Sequence, residues 1–159
     1  MAEREVSMPE DKEALRELIQ DTAYLLDHER FVHYLDHFAD TAEYELVARS
    51  RELGGKETVW WRMPKKELGA LLAEVPDQVR DAAQRLHLVS PIALEVHGDN
   101  ASCLSHFAIF RTTTAGESHV YAVGHYEESF VKQDGRWWYA KHRVVVHTRM
   151  LEISTHVPF

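Results

Sequence analysis

Three histidines and three aspartates crowd the stretch YLLDHERFVHYLDHFADTAEY, Tyr24 to Tyr44, and side chains of these types can hold a metal ion or move protons. His33 and His37 stand four apart, a spacing at which one helix face offers two imidazoles to one metal. No general-base glutamate lies between them, as it would in His-Glu-x-x-His. The expected buried stripe, Phe31, Tyr34, Leu35 and Phe38, leaves both histidines off its centre. They are therefore expected on a solvated or rim face, together with His28, Asp36 and Asp40.

Asp27 and Tyr24 fall where a first helix should end, in a position to point into the mouth of a cavity. A carboxylate held in an apolar cavity is harder to ionise and can shuttle protons. Glu128, His106 and His142 are further candidates, because each would intrude on an otherwise apolar strand face. The competing expectation for all of these groups is that helix-end and strand backbone satisfies them. Cys103, in ASCLSHF, has no base at a diagnostic position beside it and is expected as a buried apolar side chain.

The elements that must position these residues follow from periodicity. Ser7, Pro9 and Glu10 form a capping-box start, and Leu15, Leu18, Ile19, Thr22, Leu25 and Leu26 then recur at spacings of three and four. After a break at Asp27 to Glu29, Phe31 to Phe38 repeat the pattern as a second, antiparallel helix. The period changes to two at Tyr44, Leu46 and Ala48, which predicts a strand, and Gly54 and Gly55 turn the chain. Pro64 opens a third helix carrying Leu68, Leu71, Leu72 and Val75; Pro76 interrupts it before DQVRDAAQRL resumes with helical composition. Four extended runs complete the chain: Leu86 to Val96, Ala101 to Thr112, His119 to Val131, and Trp137 to Leu151. HGDN, TAGE and QDGR mark the turns between them. The fold class expected is α+β: one domain over residues 1–159, with about three N-terminal helices covering a curved antiparallel sheet that forms a cone.

Alternation also sorts the strand faces. Val120, Ala122, Gly124, Tyr126 and Phe130 are expected inside, against Tyr121, Val123, His125 and Glu127 outside. On the last strand Trp138, Ala140, His142, Val144 and Val146 are expected inside. Trp137, Tyr139, Lys141, Arg143, Val145, His147 and Arg149 are then expected outside, a mixture of aromatic and basic groups suited to a protein partner. The competing expectation for that face is a solvated sheet with snorkelling side chains.

A length of 159 residues with 45% apolar and 28% charged side chains supports one globular core. The net charge of −8 repels a phosphate backbone, which argues against nucleic acid as a partner. A single cysteine excludes an internal disulfide and any cluster held by several thiolates of one chain. The opening MAEREVSMPEDKEALREL lacks the apolar run of a signal peptide or membrane span, so a cytoplasmic location is expected.

Three strings together carry a family likeness. YLLDHERFVHYLDHFADTAEYELVAR resembles the opening helix pair and first strand of the small (β) subunits of Rieske-type aromatic-ring-hydroxylating dioxygenases. RLHLVSPIALEV is similar to the segment that starts their long sheet, and GRWWYAKHRVVVHTRMLEISTHVPF to their last strand and tail. One feature departs: members often carry an aspartate shortly after the final Arg-x-Val, where this chain has Val146, His147 and Thr148. The resemblance implies a cone shared with ketosteroid isomerase, scytalone dehydratase and polyketide cyclases. It also implies a trimer of this chain joined to a catalytic α subunit as an α3β3 hexamer. The Rieske iron–sulfur cluster and the mononuclear iron would lie in that α subunit, with electrons arriving from NAD(P)H, and no catalytic or metal site would lie in this chain. Partner contacts are expected at Arg85, His87, Trp137, Tyr139, Lys141, Arg143 and Arg149. The rival expectation is a stand-alone isomerase, dehydratase or cyclase using Tyr24, Asp27, His106 or His142 as acid–base groups. A third is a ligand-binding or structural homo-oligomer of the same fold.

Overall fold

The apolar stripe of the first helix does what its spacing requires. In the computed structural model, which describes residues 7–78 and 81–159, α1 spans Ser7–Asp27 and buries Leu15, Ile19, Thr22, Leu25 and Leu26. The side chain of Ser7, and with it the expected cap, lies outside what is described. Glu29 turns the chain with a φ of 52°, in the left-handed region, and a short α2 follows at Phe31–Leu35. Phe38 already begins strand β1, Phe38–Ser50, so the second helix is shorter than its aromatic spacing predicted.

The chain then departs further from expectation. Beyond the Gly54–Gly55 turn, Lys56–Pro64 forms β2, antiparallel to β1, although KETVWWRMP has no clean alternation. Helix α3, Lys65–Glu74, starts after Pro64 as predicted. Helix does not resume after Pro76: Val75–Asp77 is one 3-10 turn, Gln78 is extended, and β3 starts at Gln84. Asp81 instead accepts the Ala83 backbone N–H at 3.1 Å and the Nε–H and Nη2–H of Arg111 at 2.7 Å each, tying this connection to the sheet. Val79 and Arg80 lie outside the described residues.

β3 (Gln84–His97), β4 (Asn100–Thr112), β5 (Ser118–Gln133) and β6 (Arg136–Val146) form the expected meander. The sheet order is β2-β1-β6-β5-β4-β3, with every pair antiparallel except β1 and β6, which run parallel. Residues after Val146 leave the sheet, so the last strand is shorter than the run to Leu151 predicted.

Four registers slip by one residue, leaving Trp60, Ile92, Tyr121 and Ala140 as the extra residues of β-bulges. Each bulge reverses the side-chain phase beyond it. Ala122, Gly124, Tyr126 and Phe130 do face inward, but Val120 is 55% exposed while Tyr121 is buried. On β6, His142, Val144 and Val146 face inward as expected. Across the Ala140 bulge, however, Trp137 and Tyr139 are the buried residues, at 4% and 0% exposure. The expectation that these two aromatics lie on the outer face is overturned, and with it their availability to a partner there.

β4 has no bulge within it; Ala101, Cys103, Ser105, Phe107, Ile109 and Arg111 are buried in strict alternation. Gly124 stands opposite Phe107 of β4 and Val146 of β6. A Cβ there would lie 2.1 Å from the Val145 carbonyl oxygen and 2.9 Å from the Phe107 ring. Gly124→Ala should therefore lower stability by more than about 2 kcal/mol in urea denaturation. Gly69→Ala, where a Cβ meets only the Leu35 side chain at an ordinary 3.6 Å, should instead raise it by roughly 0.5–1 kcal/mol.

Candidate functional site

Asp27 closes α1 and joins it to the sheet. Both its carboxylate oxygens accept the His87 backbone N–H at 3.0 Å, and Oδ1 lies 2.5 Å from His87 Nδ1. The Asp27 side chain is 10% exposed and that of His87 only 1%. With Nδ1–H donating to the carboxylate, Nε2 is left as a buried ring nitrogen with no partner. A cleft of about 400 Å³ opens beside Asp27, lined among others by Leu26, Asp81, Arg85, His156 and Val157. A carboxylate-oriented imidazole is a general-base arrangement. Its second member was expected at a partner interface, and only the 60-residue separation in sequence hid the pair.

A second polar group occupies the floor of the cone. The fully buried Glu128 carboxylate accepts Ser105 Oγ–H at 2.9 Å and Tyr139 O–H at 3.3 Å. His142 Nδ1 stands 3.3 Å from Glu128 Oε1 but off hydrogen-bonding geometry, so both of its ring nitrogens lack partners. The imidazole sits among Tyr126, Tyr139, Tyr44 and Phe38, with ring centroids 4.7, 5.0, 5.9 and 6.3 Å away. Burial pushes the Tyr34, Tyr44, Tyr126 and Tyr139 hydroxyls well above the ordinary phenol range, which keeps them protonated and neutral. The void left inside is about 10 Å³, room for one water at most.

The other expected acid–base and metal candidates do not converge. Tyr24 is half exposed, and His106 lies on the outer face of β4 instead of in the cone. His33 is exposed, whereas His37 is buried and pairs with Thr22 at 2.8 Å and Asp21 at 3.1 Å; that burial lowers its pKa. His28 bonds back to the Tyr24 carbonyl, and Asp36 and Asp40 are exposed. Cys103 is buried, as expected, and burial raises its thiol to about 11. Among the described residues, no group of three or more His, Cys, Asp and Glu could hold a metal ion.

The basic residues of the outer face are matched within the chain. Lys141 pairs with Glu43 and Glu45, Arg143 with Glu45, Glu57 and Glu127, and Arg149 with Glu52. Arg85 is covered instead, its guanidinium 4.5 Å over the Tyr121 ring. Towards β3 the outer face turns apolar. Leu86, Phe110 and Val120 are in register across β3, β4 and β5, and so are Leu88, Ala108 and Val123. Leu86, Leu88 and Val120 are each more than half exposed. Periodicity had placed Val120 inside, so this apolar surface was not legible from the sequence.

Comparison with known proteins gives a consistent likeness. The family described as SnoaL-like domain matches residues 8–143. A curated relative, the methanesulfonate monooxygenase hydroxylase subunit beta of Methylosulfonomonas methylovora, is 25% identical over 156 residues, covering 92% of this chain and 86% of the relative. A solved structure from Novosphingobium aromaticivorans, assigned as the β subunit of an aromatic-ring-hydroxylating dioxygenase, superposes with a TM-score of 0.77. It is 20% identical, over 87% of this chain and 90% of that one. A structure from the same organism assigned as a scytalone dehydratase gives a TM-score of 0.63 at 16% identity, over 87% and 85%. At these identities the structures show a shared cone-shaped α+β fold.

The ion-pair lattice should set the acid limit of the protein. Burial opposes ionisation of Glu45, but hydrogen bonds from Arg62 and Lys141, with the Lys141 and Arg143 charges, outweigh it and hold its pKa at about 2. The Arg111 hydrogen bonds hold Asp81 at about 2 as well, against its burial. Both folded values lie below the unfolded ones, so this stabilisation is complete above about pH 4.5 and drains away as the pH falls towards 2. Glu45→Gln should cost about 1–3 kcal/mol at neutral pH. In denaturation measured as a function of pH, its deficit should shrink below pH 4.5 as the native lattice is itself protonated.

Proposed function

The chain belongs to the SnoaL-like domain family, and from that premise we propose that it is the small, non-catalytic β subunit of a Rieske-type ring-hydroxylating oxygenase. In this reading it trimerises and supports a cytoplasmic catalytic α subunit, in an α3β3 hexamer that oxidises an aromatic substrate. The observation that carries the reading is the disposition of its two sheet faces. The concave face is filled by the chain's own aromatics down to a void of about 10 Å³, against the roughly 300–1,000 Å³ of ordinary ligand pockets. The convex face carries two in-register apolar rows, an arrangement suited to partner burial. Lys141, Arg143 and Arg149, beside the β1–β6 ion pairs, would form a polar rim. The likeness to two oxygenase β subunits supports the same reading.

The Rieske cluster and mononuclear iron would belong to the α subunit. A Rieske centre takes two Cys and two His, and a chain whose only cysteine is the buried, hydrogen-bonded Cys103 does not fit that donor set. What this chain supplies is a rigid support.

One observation favours a second reading. Asp27 lines the 400 Å³ cleft and holds the buried His87 behind it, a pair that would suit a stand-alone isomerase, dehydratase or cyclase with Asp27 facing the substrate and His87 as the group that shares its proton. The two readings separate on co-expression with the product of an adjacent reading frame that carries Cys-x-His and Cys-x-x-His. Co-elution from size exclusion as one complex is expected, and Leu88→Asp or Val120→Asp should abolish it while circular dichroism stays native. If the wild-type chain never co-elutes with such a partner, the subunit reading fails. Turnover of a carbonyl or hydroxyl substrate by the chain alone, lost in Asp27→Asn, would establish the second.

A further inference from the structure

Phe159 occupies the cone as a ligand would. Its side chain is fully buried and lines the internal void together with Thr22, Tyr126, Glu128 and His142. Its ring meets Tyr121 edge-on at 5.7 Å, and its backbone N–H donates to Tyr44 Oη at 3.0 Å. Residues after Val146 form neither helix nor strand, and a few side-chain bonds hold them over the mouth. Tyr121 O–H donates to the Ile153 carbonyl at 2.6 Å, and the Arg85 guanidinium donates to Thr155 Oγ1 at 3.1 Å.

The internal void and the 400 Å³ mouth cleft share Leu26 as a wall, and the tail lines both, through Phe159 in the first and Val157 in the second. Phe159 lines the same void as His142, whose two ring nitrogens have no hydrogen-bond partner. Deleting a buried aromatic ring leaves a cavity where the surroundings relax only partly, and such cavities take up small ring compounds. Here the cavity would have a largely aromatic wall with three polar side chains in it: Thr22 and Glu128, which are already hydrogen-bonded to His37 and to Ser105, and the His142 imidazole, whose ring nitrogens make no hydrogen bond.

We propose that the Phe159 ring is a built-in occupant of a cryptic site for a monocyclic phenol, whose ring would take the place of the Phe159 side chain and whose hydroxyl would donate to His142. The site does not depend on the oxygenase reading, because association occurs on the convex face and this binding inside the cone.

The test is calorimetric titration of phenol and of toluene into the wild type, Phe159→Ala, and the double variant Phe159→Ala/His142→Phe. Wild type should show no saturable binding of either compound. Phe159→Ala should bind phenol, and should prefer it to toluene by about tenfold, the worth of one buried hydrogen bond. The double variant, which keeps an aromatic ring at position 142 but no ring nitrogen, should lose that preference. A folded Phe159→Ala protein that ignores phenol, or that takes toluene equally well, overturns the proposal. If Phe159→Ala is unfolded alone, phenol at ~10 mM should restore the dispersed methyl signals of its proton magnetic-resonance spectrum by binding only the folded state, and failure to restore them overturns the proposal equally.

Discussion

Strands of nine to sixteen residues cannot bury one face of a single sheet unless that sheet curls, and this requirement governs the rest of the molecule. The extra residues at Trp60, Ile92, Tyr121 and Ala140 meet it by bending their strands where they oppose a neighbour that lacks the insertion. β4 supplies the unbroken reference, alternating cleanly along its length, and its neighbours bend against it. Because each insertion reverses side-chain phase, the bulges also choose the contents of the cone. They bring Tyr121, Trp137 and Tyr139 inside and release Val120 to the surface.

Filling the cone with tyrosines and histidines places polar atoms in a dry space, and the chain matches most of them. Asp11 accepts the Trp137 indole N–H at 2.9 Å and Lys132 at 2.7 Å, Glu128 accepts Ser105 and Tyr139, and Asp27 accepts His87. Each buried carboxylate thus fixes the position of a neighbour as well as satisfying itself. Among the described residues the unmatched buried atoms belong to Tyr34, His87, Trp138 and His142. Two of these four line or adjoin features a ligand could use: His142 borders the internal void, and His87 is held by the acid that borders the mouth cleft.

Much of the architecture was legible because it rests on periods longer than any single irregularity. The three-and-four spacing from Leu15 to Leu26 made α1 unambiguous, and turn residues at HGDN, TAGE and QDGR delimited the four long strands. What escaped has physical causes. An inserted residue leaves no mark in composition, so alternation counted from Val144 back through Ala140 arrives on the wrong face at Tyr139. β2 carries adjacent tryptophans with a bulge at the first, which erases its period. The parallel return of β1 beside β6, and the meeting of Asp27 with His87, join segments far apart in the chain, and local pattern cannot report such pairings.

A cone of this kind can work from either side, and the side determines what the interior must do. An enzyme needs a solvent-reachable cavity with its acid and base exposed to substrate. A supporting subunit needs an interior that does not yield when a partner presses on the outside. Close packing, buried carboxylates at bonding distance from their donors, and an ion-pair lattice across β1, β2, β5 and β6 all resist deformation. The tail after Val146 is held differently from the rest of the interior: it has no ladder, and Leu151, Val157 and Phe159 pack on the core while Tyr44, Arg85 and Tyr121 bond it from the sheet. Among the buried phenylalanine, tyrosine and tryptophan rings of the described residues, Phe159 is the one carried by a segment outside the helices and strands, so residual binding capacity should concentrate beneath it.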